Sequence, residues 1–213
     1  MIGFAVTAAF GRAQEIWKLD NLKQLGGHEV TVVGAPRVID ANGAKAVEFD
    51  GAKDGLFVSS LPVEGVTAFT IEVLFMPAEG GAAEQRFFHI EDANQRRALL
   101  EIRADGKGGW WLDEFLRSNV EAQPKGLPLI DPAKVHPTNR WYWVAMRFDG
   151  KHLVAYIDGA KELEGDIGHL PFGPGKTSLG VRQNLVYWFK GAIGEVRFHR
   201  EAIAEEKLQR VRR

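Results

Sequence analysis

WYWVAMRFDGKHLVAYIDG, Trp141 to Gly159, is the stretch whose reading decides the fold. Two apolar-rich runs flank Asp149-Gly150, and an Asp-Gly pair between alternating runs is the strongest short hairpin signal. With those two residues as the turn, Phe148 faces Lys151, Met146 faces Leu153, Val144 faces Ala155 and Tyr142 faces Ile157. That face is apolar and belongs in a core. The other face pairs Trp143 with Tyr156, Ala145 with Val154 and Arg147 with His152. A hairpin with apolar character on both faces predicts a central position in a layered β protein.

Working outward, the same alternation recurs. In FTIEVLFM, Phe69 to Met76, the residues Phe69, Ile71, Val73 and Phe75 share one face. Strands are predicted at Glu15–Leu19, His28–Val33, Lys45–Phe49, Leu56–Ser59, Arg86–Ile90, Arg97–Arg103, Trp110–Leu116, Thr177–Arg182 and Lys190–His199. The last should carry a bulge near Gly191 or Gly194. Arg117 to Arg140 holds Pro124, Pro128, Pro132 and Pro137 and reads as a long irregular loop. Glu162, Glu164 and Asp166 read as a solvated loop. A helix is expected over Glu201 to Arg212, with Ala204, Leu208 and Val211 on one side. Roughly ten to twelve short strands with Gly, Pro and Asp turns predict an antiparallel sandwich or jelly roll.

The chain has 213 residues and 45% hydrophobic content, enough for one substantial core. Its formal net charge of −1 supplies no basic field for a phosphate backbone, so nucleic acid is not an expected partner. The chain has no cysteine, which excludes disulfides, thiolate zinc sites and a cysteine nucleophile. Ile2 to Phe10 is apolar, and Gly11 and Ala13 stand at the −3 and −1 positions of a cleavage site after Ala13. Residues 1–13 therefore read as the remnant of a secretory signal, without its basic start, or as an ordinary apolar N-terminal segment, and 14–213 as a single domain. The run is too short to cross a membrane as a helix. A secreted or periplasmic location is the expectation.

VEFDGAKDGLFV, FTIEVLFMP, RWYWVAMRFDGKHLVAYIDG, SLGV and FKGAIGEVRFHREAI resemble the successive blocks of a laminin-G-like domain of the concanavalin A-like lectin/glucanase superfamily. The blocks run from about Val47 to Ile203. The resemblance implies an all-β, antiparallel two-sheet jelly roll with one short C-terminal helix. It implies carbohydrate or protein partners on a concave face and rim loops, calcium at the rim in some members, and hydrolases or lyases among relatives.

Function has to be read from residues. If RALLEIR (97–103) pairs with WWLDEFL (110–116), Leu100, Ile102, Trp110 and Leu112 go to the core. Arg97, Glu101, Arg103, Trp111 and Asp113 then share the opposite face. Arginine forks bind carboxylates and hydroxyls, and an aromatic ring offers a flat surface to a sugar, so this face suits an oligosaccharide, an acidic one included. The bland alternative is a solvated face of cross-strand ion pairs. VRQNLVYWFKG adds Arg182, Asn184, Tyr187 and Trp188, either as ligand contacts or as a loop closing the sandwich.

As an enzyme the chain would draw on His89, His136 and Tyr187 for proton transfer. LLEIR and YWFKG superficially resemble blocks of alginate-lyase relatives, but QRFFH precedes LLEIR here and the order does not match. The two-carboxylate strand motif of the glucanases is absent, and Asp113 and Glu114 should lie on opposite faces. Asp50, Asp54 and Asp158 stand at turns where oxygen ligands could hold calcium, or where Asp-Gly is simple turn chemistry. Glu72 and Arg197 are expected to pair structurally.

Overall fold

The computed structural model describes residues 14–41, 43–118 and 125–211; the leader-like segment and part of the proline-rich stretch, including Pro124, lie outside them. Seventeen strands follow one another: β1 Gln14–Lys18, β2 Gln24–Leu25, β3 His28–Val33, β4 Arg37–Ala41, β5 Ala44–Asp50, β6 Gly55–Val58, β7 Phe69–Pro77, β8 Glu84–Asp92 and β9 Arg97–Ala104, then β10 Gly109–Arg117, β11 Leu127–Ile130, β12 His136–Pro137, β13 Tyr142–Phe148, β14 His152–Ile157, β15 Ala160–Asp166, β16 Gly175–Leu179 and β17 Lys190–His199. They form two antiparallel sheets. The first runs β15-β14-β13-β7-β17-β5-β4 with β1 beside β17, and the second runs β11-β10-β9-β8-β16-β6-β3-β2 with β12 beside β10.

The hairpin occupies the position its two-sided pattern demands, with β13 between β14 and β7. Tyr142, Val144, Met146 and Phe148 join Leu153, Ala155 and Ile157 in the main core between the sheets. The register differs from the two-residue turn by two. Phe148 faces Leu153 and Val144 faces Ile157. The Asp149 carboxylate accepts the amides of Lys151 and His152 at 3.0 and 2.8 Å, which widens the turn. A shift of two preserves the side-chain period, so each residue keeps its face. The predicted bulge in β17 lies at Gly194, where the register with β7 slips between Ile193 and Glu195.

Three secondary-structure assignments are corrected. Glu162, Glu164 and Asp166 belong to β15, which pairs with β14, so ELEGD is an edge strand and not a loop. The proline-rich stretch contains β11 and β12, both laid against β10.

The C-terminal helix is the third. Among the described residues of that segment only a 3-10 turn at Glu205–Lys207 forms. The rest of the segment lies along the outer face of the first sheet, where Ile203 and Leu208 pack on Ala145, Val154 and Tyr156. Sheet side chains capture its backbone: Ile203 N–H donates to Thr70 Oγ1 at 3.1 Å and Gln209 N–H to Glu72 Oε1 at 2.7 Å. Amides held this way cannot close a helical ladder.

Glu72 stands opposite Arg197 in register but pairs with His199, at 2.8 Å, while Arg197 bonds Glu195 at 2.5 Å. The predicted Glu72–Arg197 pair is therefore not made.

Candidate functional site

The outer face of the second sheet is polar because alternation in β9 and β10 sends every second residue away from the core. Arg97, Leu99, Glu101 and Arg103 project from β9. In register beside them, β10 contributes Arg117, Phe115, Asp113 and Trp111. Strand β8 adds Glu84 and Arg86, then bulges between Arg86 and Phe88. The bulge is the reason Phe87 and Phe88 both enter the core, while Arg86 and His89 both face outward.

The segment 180–189 folds back over this face. Phe189 N–H closes it on Gly180 O at 2.8 Å, and Leu185 N–H bonds Arg182 O at 2.9 Å to make its tip. Gly180 N–H starts it on β8, donating to Phe87 O at 3.1 Å, and it docks on that strand twice more. Arg86 N–H, freed by the bulge, donates to Tyr187 O at 2.9 Å, and Gln183 N–H donates to His89 Nδ1 at 3.1 Å. Leu185 and Tyr187 both adopt left-handed backbone conformations, with φ of 60° and 62°. For a residue with a Cβ that conformation costs about 1 kcal/mol, and such strain gathers at functional sites.

Together these elements enclose a cavity of about 210 Å³ lined by Arg86, Arg97, Glu101, Arg103, Asp113 and Arg182, with Leu99, Phe115 and Pro128 as its apolar wall. Arg103 grips Asp113 with two nitrogens, at 2.7 and 2.8 Å, and also meets Glu84. Arg86 Nε lies 2.8 Å from Glu101 Oε1, an ion pair whose N–H does not point at the oxygen, and its Nη1 lies 2.9 Å from Glu84. The Arg86 guanidinium also stacks 3.7 Å from the centre of the Tyr187 ring, and Tyr187 is itself exposed. Burial pushes the Glu101 carboxyl up to about 7; the Arg86 charge opposes that shift and the Asp113 charge adds to it.

Of the residues singled out from sequence, Arg97, Glu101, Arg103, Asp113 and Arg182 line this one cavity. Tyr187 stands at its rim through Arg86. Asn184 is exposed at the loop tip and Trp188 is partly buried, and neither lines the cavity. Trp111 shares the sheet face beside Arg103 but lies outside the cavity, its indole N–H buried without a partner among the described residues. Arg86, Glu84 and Phe115 were not anticipated. The position of Arg86 depends on the β8 bulge, and the RFFH run that forces both phenylalanines inward was the available signal.

The proton-transfer set is dispersed. His89 is buried under the loop, with its pKa lowered chiefly by that burial. His136 sits at the edge strand β12, its ring tilted against Trp110 with centres 4.9 Å apart and bonded to Glu162 at 2.8 Å.

Of the calcium candidates, Asp50 and Asp54 share one turn and Asp158 stands at another. Asp50 Oδ1 accepts the amides of Ala52, Lys53 and Asp54. Asp54 accepts those of Ala35 and Asp50, and Asp158 Oδ1 those of Trp143 and Val211. Backbone turns and the C-terminal segment occupy these carboxylates. Among the described residues no group of three or more potential ligands converges.

A family model described as the concanavalin A-like lectin/glucanases superfamily, Laminin_G_3, matches residues 50–209. The chain belongs to this family. No curated protein matches it. Among solved structures, this Laminin_G_3 chain is similar to domain 4 of AbnA, a GH43 extracellular arabinanase from Geobacillus stearothermophilus solved in complex with arabinotriose. The two share 18% identity over 91% of this chain and 94% of that one, with a TM-score of 0.66. It is also similar to the binding domain of Paraclostridial Mosquitocidal Protein 1, at 10% identity, 92% and 50% coverage and a TM-score of 0.68. The botulinum neurotoxin serotype G binding domain shares 11% identity over 85% of this chain and 45% of that one, with a TM-score of 0.63. The chain thus spans about half of these toxin binding domains. At such identities the likeness is one of fold. No helix among the described residues is long and apolar enough to cross a membrane.

Proposed function

We propose that this domain is a carbohydrate-binding module that holds an oligosaccharide on the outer face of β8–β10, under the rim formed by 180–189. The observation that supports this most directly is the cavity itself. Arg97, Glu101, Arg103, Asp113 and Arg182 surround one opening, next to an exposed Tyr187 ring held flat by Arg86. Fixed guanidinium and carboxyl groups suit the hydroxyls of a sugar, and an aromatic face suits its apolar C–H surface. The arabinotriose-bound arabinanase domain of the same fold adds support of a general kind. The leader-like Ile2 to Phe10 run fits a module that works outside the cytoplasm.

Calorimetric titration against a panel of neutral and acidic oligosaccharides tests the proposal. Binding to at least one of them should weaken roughly tenfold in Tyr187→Ala, the size of one lost stacking contact. Arg182→Ala should weaken it as well. Unchanged affinity in both variants would rule this face out.

A further inference from the structure

The ion pairs on this face are unevenly spread. At one end, Arg86 and Arg103 are matched by Glu84, Glu101 and Asp113. At the other end, Arg97 and Arg117 stand directly opposite each other in register on the same face. Like charges in that relation repel. Arg97 meets only Glu91, at 3.6 Å, and His89 approaches that same carboxylate at 3.4 Å. The Nε atoms of Arg97 and Arg117 are buried without hydrogen-bond partners among the described residues. Arg182 hangs over this end from the loop, close enough that its charge, after burial, lowers the Arg97 pKa. Among the described residues, no carboxylate lies within ion-pairing distance of Arg182 or Arg117. Beside an open cavity, Arg97 thus has one distant ion-pair partner, and among the described residues Arg117 and Arg182 have none.

We infer that the ligand is an anionic glycan, one carboxylate or sulfate of which seats between Arg97 and Arg182. This rests on the carbohydrate-binding reading and names its ligand class. Arginine forks bind such planar or tetrahedral anions bidentately, and the seated charge removes the Arg97–Arg117 repulsion.

Glu101 links this end of the cavity to pH. It faces Arg86 and Glu84 from β8, Arg97 and Arg103 on its own strand, Asp113 from β10, and Arg182 across the cavity. An incoming anion stabilises its protonated form further, so binding takes up a proton. Affinity for the anionic glycan therefore rises as pH falls from 8 to 6, where a sugar carboxylate is still ionised.

The test is calorimetry with an oligogalacturonide, a sulfated glycosaminoglycan fragment, a neutral arabino-oligosaccharide and sodium sulfate alone, at pH 6 and pH 8. One or both acidic oligosaccharides should bind at least ~10-fold tighter than the neutral one, the size of one charge-assisted contact. Arg182→Gln should remove most of that preference without lowering the melting temperature, since Arg182 makes no ion pair among the described residues. Affinity should weaken roughly threefold or more from pH 6 to pH 8, and Glu101→Gln should flatten that profile. Which acidic oligosaccharide binds tells carboxylate from sulfate. Neutral oligosaccharides binding as tightly as acidic ones, through Tyr187, would overturn the anionic assignment and leave the carbohydrate reading standing. Sulfate alone binding as tightly as any oligosaccharide would overturn it too. Failure of every oligosaccharide to bind would sink both.

Discussion

Asp113 and Glu114 are neighbours in sequence and lie on opposite sides of the second sheet. Asp113 is held by Arg103 in the cavity. Glu114 is fully buried on the core face, in register with Leu100 and Leu129, and neither of its carboxyl oxygens has a hydrogen-bond partner among the described residues. One residue of translation along β10 separates a cavity-lining carboxylate from a buried, unpaired one.

Burial alone holds the Glu114 pKa well above its ordinary value. A carboxyl whose folded pKa is raised stabilises fully below the unfolded pKa, and that contribution is lost as pH rises toward the folded one. Glu114→Met keeps the volume and removes the unsatisfied group, so it should stabilise the domain by about 1–3 kcal/mol at pH 7. The gain should widen from pH 5 to pH 9. Urea melts at those pH values check it; a gain that did not vary with pH would show that Glu114 is not titrating.

His169 works in the opposite direction. Its ring packs against Phe172, Phe148 and Phe69 at 4.7, 5.4 and 6.0 Å, and its nitrogens have no partners among the described residues. Burial chiefly, and then the Arg96 charge, lower its pKa to about 4. The unfolded chain therefore binds a proton that the folded one refuses between about pH 6.5 and pH 4. Stability should fall by about 2–3 kcal/mol across that window, and His169→Phe should remove the fall. Thermal melts at pH 6.5 and pH 4.5 measure it, and equal slopes in both proteins would contradict the assignment.

The parts of this fold that could be read from sequence are those set by local period. The β13–β14 hairpin, β7 and the β9–β10 pair all show alternation over consecutive residues, and the faces of Glu101 and Asp113 followed from it. The hairpin register did not, because the Asp149 side chain decides the turn length and either length keeps the same faces. The C-terminal segment was misread because Ala204, Leu208 and Val211 match a helical spacing while Thr70, Glu72 and Asp158, far away in sequence, hold its amides. The docking of 180–189 on β8 was hidden for a similar reason. It depends on a bulge at Arg86 and on left-handed backbone at Leu185 and Tyr187, neither of which has a glycine to announce it.

The C-terminal segment should be a structural strap. Leu208 is buried on Val154 and Tyr156, and Tyr156 O–H donates to Glu205 Oε1 at 2.7 Å beside it. Leu208→Ala should cost about 2–3 kcal/mol through the cavity it leaves. Ending the chain after Arg200 should cost more, because Glu72 and Thr70 then lose their backbone partners. Denaturant melts rank the three proteins, and a truncated chain as stable as the full one would show that the strap is dispensable.

Asp92 ties the far end of β8 to the loop that carries Phe172. Its carboxylate accepts the amides of Asn94, Arg96 and Gly173 at 2.8, 3.0 and 2.8 Å, and the Arg96 Nε–H at 2.6 Å. Burial raises its pKa, but the Gly173 amide and the Arg96 side chain outweigh that, so the net shift is downward. A depressed carboxyl stabilises above its unfolded pKa and loses that contribution as pH falls through the folded one. Asp92→Asn keeps the shape but replaces a charged acceptor with a neutral one that also carries donors. It should destabilise by about 2–3 kcal/mol at pH 7, within the range for hydrogen bonds to a buried charge. The difference should shrink below about pH 4, where the wild-type carboxyl begins to protonate. Hydrogen exchange at Gly173 and Arg96 reads the local effect. Protection at both amides should drop together, and exchange unchanged at Gly173 would mean that the loop is held by the packing of Phe172 instead.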